Sequence, residues 1–567
     1  MSKTEEHNGD LSVVLTGEAG QGIKSVEMLL TRILKSAGFN VFATKEYMSR
    51  IRGGSNSTQI RASSRRGRAL VDRIDLLMPL TGASIDRLRS RVTQETIILG
   101  EGEDYGEGLN VIHLPLSKLA GEIGGGIYAN TIAASTVTAL LAVPKDLVEA
   151  NLKRLFAKKG EAVVDKNLLA AQKGYELGAR LLKEGKFSTS LSASEEVANE
   201  ILMSGIEAVS LGAIAGGCNF VSSYPMSPST GVLTFLAQHA HEFGIGVEQV
   251  EDEIAAINMA LGVWYAGGRA IVTTSGGGFA LMGEGISLSG MLETPVVIHL
   301  AQRPGPATGL PTRTEQGDLN LALYAGHGDF PRVLLAPGTT EEAFDLTRRA
   351  FDLADRYQVP VVILTDQYFV DSYYNLPYVD VSEVGAISSI VSADSGYRRY
   401  EITDNGISPR GVPGFGEGVV SVDSDEHDEV GHITEDLRLR TRMVEKRLRK
   451  GHGLLNEFVE PKLSGSEGFE TLIIGWGSTY HVIEEALDAA GRDDIAGLHF
   501  PQVYPLHPDV EALLRHAKKR VVVEGNATGQ FASLLEREFG VEIDERILKY
   551  NGLQFSVEEL TAAFEEI

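Results

Sequence analysis

The chain repeats one local pattern: a short apolar run, a glycine-bearing polar loop, then a segment of helical period. It occurs at residues 11–16, 17–22 and 23–37, at 270–274 followed by 275–278, and at 521–523 followed by 524–530. Apolar runs alternating with amphipathic segments specify parallel strands joined by crossover helices. The expected fold class is α/β, with several doubly wound parallel-sheet domains. A chain of 567 residues exceeds one hydrophobic core. Breaks in the pattern place domains at 1–185, 197–382 and 466–567, a polar linker at 185–196, and an irregular arm at 383–465.

Within the second domain, Tyr224-Pro225-Met226-Ser227-Pro228-Ser229-Thr230 forms a corner rich in proline and hydroxyls, after an apolar run at 211–221. Proline fixes its own φ and pushes the preceding residue out of the helical region, so Tyr224 and Ser227 are held extended. Such a corner can present the Ser227 hydroxyl to a ligand. It can equally be a strand-to-helix turn in which Ser229 or Thr230 caps a helix over 232–241. Downstream, Glu248, Glu251, Asp252 and Glu253 precede a small-residue helix at 254–262. Acids suit a helix N-terminus, but Glu253 is in phase with Ala256, Ile257, Ala260 and Leu261 on the inward face. It is either a dipole partner or a buried acid with a donor opposite. A strand at 270–274, the loop Ser275-Gly276-Gly277-Gly278, and a strand at 295–300 ending in Gln302-Arg303-Pro304-Gly305-Pro306 follow.

Composition and spacing exclude several classes. A formal charge of −25 argues against nucleic-acid binding, which needs basic surface. No leader-like segment opens the chain, and no apolar run reaches the roughly 20 residues of a membrane span, so the expected location is cytoplasmic with no membrane partner. The loop at 17–22 reads G-x-x-G-x-G rather than G-x-G-x-x-G, with no acid ending the next strand, which disfavours a dinucleotide; it can receive an anion or simply pack strand against helix. Arg50, Arg52, Gly53 and Gly54 lie in a run suited to phosphate or carboxylate, or to a solvated turn. The acidic run at 423–429 lacks the glycine and terminal glutamate of an EF-hand, and no metal site is assigned. The basic segment after Thr434-Glu435-Asp436, stopped by Gly451, reads as a helix serving as a docking arm. Cys218 is the single cysteine, so the chain cannot alone hold a cluster that takes four thiolates; it reads as a buried small hydrophobe.

The Tyr-Pro-x-x-Pro-Ser corner, the Glu253 helix, the Ser-Gly-Gly-Gly loop and Gln302-Arg303-Pro304-Gly305-Pro306-Ala307-Thr308-Gly309-Leu310-Pro311-Thr312 occur in this order in the 2-oxoacid:ferredoxin oxidoreductases. Across nearly its whole length the chain resembles their alpha subunits of the 2-oxoglutarate type, with a gamma domain fused in front. It departs in having Met226 and Ser227 where many members have isoleucine and threonine; the hydroxyl is kept and a methyl is lost. The resemblance implies a thiamine diphosphate pyrimidine-binding domain at 197–382 and a transketolase C-terminal-like domain at 466–567. It implies oxidative decarboxylation of 2-oxoglutarate with coenzyme A, giving succinyl-CoA and reduced ferredoxin. Pyruvate, a branched-chain or an aryl 2-oxo acid are alternative substrates; a non-catalytic scaffold and a nucleotide-binding regulatory module are alternative roles. Glu253, with Glu251 as second choice, is expected to hold the aminopyrimidine, beside Tyr224 and Pro225. Ser227 and Arg303 are expected at the substrate, Thr312 and Arg313 at a second carboxylate, and Arg50, Arg52, Gly53 and Gly54 at coenzyme A. No Gly-Asp-Gly run with a following asparagine pair is present. The diphosphate half, Mg2+ and a [4Fe-4S] cluster are therefore expected on a beta subunit in an (alpha-beta)2 heterotetramer.

Overall fold

A computed structural model of the chain describes residues 9–18, 22–48, 55–80, 82–102, 105–382, 385–466 and 468–567. They form two compact units: residues 1–204 with 371–380 and 556–558, and residues 205–370, 381–555 and 559–567. Among the described residues no helix is long and apolar enough to cross a membrane.

The first unit is built on an eight-stranded mixed sheet. Strand Asp10–Glu18 lies inside it, parallel to Leu76–Pro79 on one side and antiparallel to Ser55–Ser63 on the other. Sequence reading places no strand at 55–63, because Ser-Asn-Ser-Thr-Gln-Ile-Arg-Ala-Ser carries too few apolar residues to announce one. It forms because its neighbours satisfy it. Gln59 donates to Ser12 Oγ and Val71 O, both at 2.8 Å, and Arg61 is paired with Asp10 at 2.8 Å. Helix Ile23–Ser36 follows Gly22, whose φ of 79° is a left-handed value that favours glycine. The apolar core lies between the sheet, this helix, and the helices Ala129–Leu140 and Glu161–Lys183. The last two touch through backbone: a Cβ on Gly174 would stand 2.2 Å from Ile132 O, and one on Gly178 2.4 Å from Thr136 O.

The second unit holds two sheets. The seven-stranded sheet runs Gln502–Tyr504, Val333–Leu335, Pro360–Asp366, Val296–Gln302, Ala270–Thr274, Phe220–Ser223, Gly246–Gln249. Only its first strand is antiparallel to its neighbour. From Phe220–Ser223 the chain moves outward to Gly246–Gln249, then crosses back to Ala270–Thr274 on the other side. That reversal makes a topological switch point, where the carboxyl ends of adjacent strands open a crevice. The five-stranded sheet runs Lys462–Gly465, Ile495–Phe500, Thr471–Trp476, Lys519–Glu524, Glu545–Leu548, with Lys462–Gly465 the antiparallel member.

Several local expectations need correction. The apolar run at 211–221 divides between helix Gly205–Ala215 and the strand Phe220–Ser223. Ser275–Gly278 is the start of helix Gly276–Leu281 rather than a loop. Gly451 does not stop the basic helix, which runs Leu437–Leu455 from an Asp436 cap accepting from Arg438 N and Leu439 N. Of its late glycines Gly453 serves packing: it lies against the Tyr357 ring, and Tyr357 OH donates to Gly453 O at 3.0 Å.

The arm is bound to the rest of its unit by buried charge. Lys446 and Lys450 reach Glu293 at 2.7 and 2.5 Å, with all three side chains at most 1% exposed. The two ammonium groups hold the Glu293 carboxyl well below the usual carboxylate range. Arg410 pairs with Asp355 at 2.5 Å. Within the acidic run, Glu426 accepts from Arg447 at 2.8 and 3.1 Å and also from Arg440.

Candidate active site

Four neighbouring strands of the seven-stranded sheet deliver the site residues from their carboxyl ends. Phe220–Ser223 leads into the corner, Gly246–Gln249 to Glu253, Ala270–Thr274 to the glycine helix, and Val296–Gln302 to Arg303. The corner exposes the side chains of Tyr224, at 40%, and Ser227, with Pro225 half-buried. Ser229 precedes helix Thr230–Gln238 but does not cap it with its side chain; its Oγ donates back to Met226 O at 2.8 Å and closes the corner on itself. Beneath it, buried His299 bridges Thr273 Oγ1 and Thr365 Oγ1, both at 2.8 Å. Burial pushes His299 down to about 3, so the strut is neutral.

Glu253 opens helix Glu253–Tyr265 and is 2% exposed. Asp252 is the residue that caps, accepting from Ala255 N at 2.8 Å, while Glu251 points to solvent. Glu253 is therefore the buried acid. Thr274 Oγ1 lies 3.4 Å from its Oε1, a long hydrogen bond that leaves acceptor capacity. Burial raises its pKa, against the smaller opposing effects of Thr274 and Arg303. The carboxylate is seated against Gly278, where a Cβ would stand 2.1 Å from Oε1.

Arg303 donates from Nη1 to Ser227 O at 2.6 Å, tying the strand end to the corner. Its Nε is buried with no hydrogen-bond partner, as are Ser275 Oγ and Asp318 Oδ2. Asp318 escapes sequence reading. It sits on the loop between Arg303 and helix Leu319–Leu323, and its carboxylate rests on Gly276, where a Cβ would lie 2.4 Å from both oxygens. Gln302 Oε1 accepts from Asp318 N at 3.0 Å. Burial, with Glu315 adding and Arg303 opposing, brings the Asp318 carboxyl up to about 7. Gly276 and Gly278 of one helix thus each seat an acid, Asp318 half-buried with its Oδ2 enclosed and Glu253 buried.

The Asp318 loop is held by the C-terminal region. Gln316 donates from Nε2 to Trp476 O at 2.8 Å and exchanges hydrogen bonds with Gly525 at 2.6 and 2.8 Å. Asn526 donates to Gln316 O at 3.2 Å, and Gln530 to Gly317 O at 2.8 Å. Glu524, buried in the strand before, fixes this polar glycine loop by accepting from Phe531 N, Ala532 N and Asn526 Nδ2. The structure brings Ser227, Glu253 and Arg303 together. Thr312 is half-buried further along, and Arg313 lies beside Gly552, where a Cβ would meet its Cβ at 3.1 Å. Arg50, Arg52, Gly53 and Gly54 lie outside the described residues.

An alpha subunit of 2-oxoacid:ferredoxin oxidoreductase from Sulfolobus sp is 31% identical over 622 aligned residues, covering 98% of this chain and 96% of the relative. The chain belongs to the 2-oxoacid:ferredoxin oxidoreductase alpha subunits. Residues 211–446 of this alpha subunit, which include every residue of the crevice, match the family described as pyruvate flavodoxin/ferredoxin oxidoreductase, thiamine diphosphate-binding. Residues 12–177 match pyruvate ferredoxin/flavodoxin oxidoreductase. A 2-oxoglutarate synthase subunit KorA from Archaeoglobus fulgidus is 33% identical over 59% of this chain and 90% of its own. The solved 2-oxoglutarate:ferredoxin oxidoreductase from Magnetococcus marinus, with 2-oxoglutarate, coenzyme A and succinyl-CoA bound, aligns at a TM-score of 0.91 and 31% identity, covering 98% of this alpha subunit and 99% of that chain. The α/β class with a thiamine diphosphate-binding domain is thereby established.

Proposed function

We propose that this alpha subunit is catalytic and acts on 2-oxoglutarate, converting it with coenzyme A to succinyl-CoA and carbon dioxide while reducing ferredoxin. The observation that carries this reading is the buried Glu253 carboxyl against Gly278, in one crevice with three partnerless polar atoms on Ser275, Arg303 and Asp318. Buried polar groups without partners are rare in native proteins and call for a water, an ion or a ligand, and three gathered in one crevice with a buried acid fit a ligand. The names of the KorA relative and of the Magnetococcus marinus enzyme favour 2-oxoglutarate over pyruvate.

The crevice fits the aminopyrimidine of thiamine diphosphate. Glu253 keeps acceptor capacity while being 2% exposed, and its raised pKa suits a carboxyl that shares a proton with a ring nitrogen. Bound there, the cofactor supplies the electron sink for decarboxylation. The protein's part is placement. Tyr224 and Pro225 wall the pocket, the Ser227 hydroxyl donates to substrate oxygen, and the Arg303 fork pairs with the carboxylate that leaves. Arg313 and Thr312 serve the distal carboxylate. In the net reaction the bond between the carboxylate carbon and the keto carbon breaks and carbon dioxide leaves. Two electrons pass to ferredoxin, and the coenzyme A thiol takes the acyl group with loss of its proton. Arg50, Arg52, Gly53 and Gly54 are assigned to coenzyme A. A beta subunit carrying the diphosphate site, Mg2+ and a [4Fe-4S] cluster completes an (alpha-beta)2 assembly, which is cytoplasmic.

The test is to purify the alpha subunit with its partner and follow coenzyme A-dependent reduction of a low-potential dye with 2-oxoglutarate, pyruvate and a branched-chain 2-oxo acid. Preference for 2-oxoglutarate is expected, with Glu253→Ala lowering kcat by about 100-fold or more. A loaded complex that turns over none of the three sinks the reading.

A further inference from the structure

The seating of Asp318 serves no hydrogen bond that the fold needs. Its Oδ2 is buried and unpartnered, and so is Nε of Arg303, the cation whose charge acts on it. Five polar contacts from Trp476, Gly525, Asn526 and Gln530 nevertheless fix the loop that carries it, and Gly276 leaves the space it fills. A carboxyl placed this firmly beside an arginine that itself touches Ser227 is positioned to respond to what the arginine binds.

We propose that Asp318 makes the Arg303 pocket a proton-coupled anion site, in which the carboxylate of a 2-oxo acid is bound together with one proton taken up by Asp318. This rests on the reading of Arg303 as the substrate's partner. An anion brought to Arg303 adds negative charge in a poorly solvated crevice, and the protonated form of a neighbouring carboxyl then becomes the favoured one. By linkage, binding tightens as pH falls through the free group's pKa, which lies at about 7. The charged groups facing Asp318 are few. Arg303 comes from the strand end and Glu315 from the same loop, while Glu253 acts on Arg303 from its helix. Helix Gly276–Leu281 brings no charge. The C-terminal loop presents the neutral Asn526 and Gln530, with Glu524 occupied behind them and Arg537 lying over Tyr324. Among the described residues the other acids there are Glu253, which the cofactor engages, and Glu315, whose carboxyl burial also raises, so the Asp318 substitution is what assigns the proton.

The experiment measures KM for the 2-oxo acid in the assembled alpha-beta complex across pH. If only the protonated form binds, KM rises about tenfold from about pH 6 to about pH 8, while KM for coenzyme A does not follow it. Asp318→Asn, which keeps shape and removes the titration, is expected to hold KM at its low-pH value throughout, a change that lost stability alone would not produce. If that variant fails to assemble, Gly276→Ala keeps the acid but forces its oxygens to move, and must displace the inflection. A pH-flat KM in the wild type, an Asp318→Asn variant that retains the slope, or an unmoved inflection in Gly276→Ala overturns the inference and leaves the proposed function standing. No turnover by the loaded complex rejects both.

Discussion

At Gly278 it is the absent side chain that allows Glu253 to lie buried, because a Cβ would stand 2.1 Å from the carboxylate oxygen and 2.3 Å from Thr274 Oγ1. Gly278→Ala should therefore displace the acid while leaving helix propensity improved. The expected outcome is a loss of about 100-fold in kcat with little change in thermal midpoint, since a displacement on the order of 1 Å at a reacting group costs that much; steady-state kinetics beside calorimetry would check it. This residue pair also shows what could be read in advance. Glu253 was legible through its phase with Ala256, Ile257 and Ala260, and Arg303 through the run that carries it. Asp318 was not, because one aspartate before a short helix looks like a cap, and only the fold reveals that its side chain caps nothing.

Among the elements, helix Leu437–Leu455 departs furthest from expectation. Its bases read as those of a docking arm stopped at Gly451, yet the helix runs on to Leu455 and Lys446 and Lys450 are buried on Glu293 of the same unit. Periodicity cannot separate an outward charge from one that finds a buried partner far away in sequence. Removing the partner leaves two uncompensated ammonium groups, so Glu293→Gln is expected to destabilise the second unit by about 3–5 kcal/mol, measured by urea unfolding. Replacing all three residues with apolar ones should recover most of that loss, since the pairing mainly offsets desolvation. The strand Ser55–Ser63 was hidden for the opposite reason: its burial is satisfied by polar contacts rather than by apolar content.

Across the whole molecule the alternation of strands and helices was enough to give the class, while strand order, and with it the switch point that gathers the site, depends on contacts between distant segments. One such contact carries a pH dependence. Glu342, on helix Thr340–Tyr357 beside the seven-stranded sheet, accepts from His499 of the five-stranded sheet at 3.1 Å and pairs with Lys462 at 2.5 Å. These partners bring it down to about 2 despite burial. Its folded pKa is depressed, so the stability it contributes is fully present above its unfolded pKa of about 4.3 and is lost as pH falls toward 2. Glu342→Gln should be less stable than the wild type at neutral pH and lose less on acidification, read from urea midpoints at the two ends of that window. The antiparallel strand Gln502–Tyr504 has a practical corollary. It covers the open flank of Val333–Leu335, so a chain cut off before residue 466 would present bare amide and carbonyl groups to its neighbours. Such a truncation should precipitate rather than yield a trimmed catalytic fragment, and crystallographic or expression designs should keep the carboxyl-terminal hundred or so residues attached.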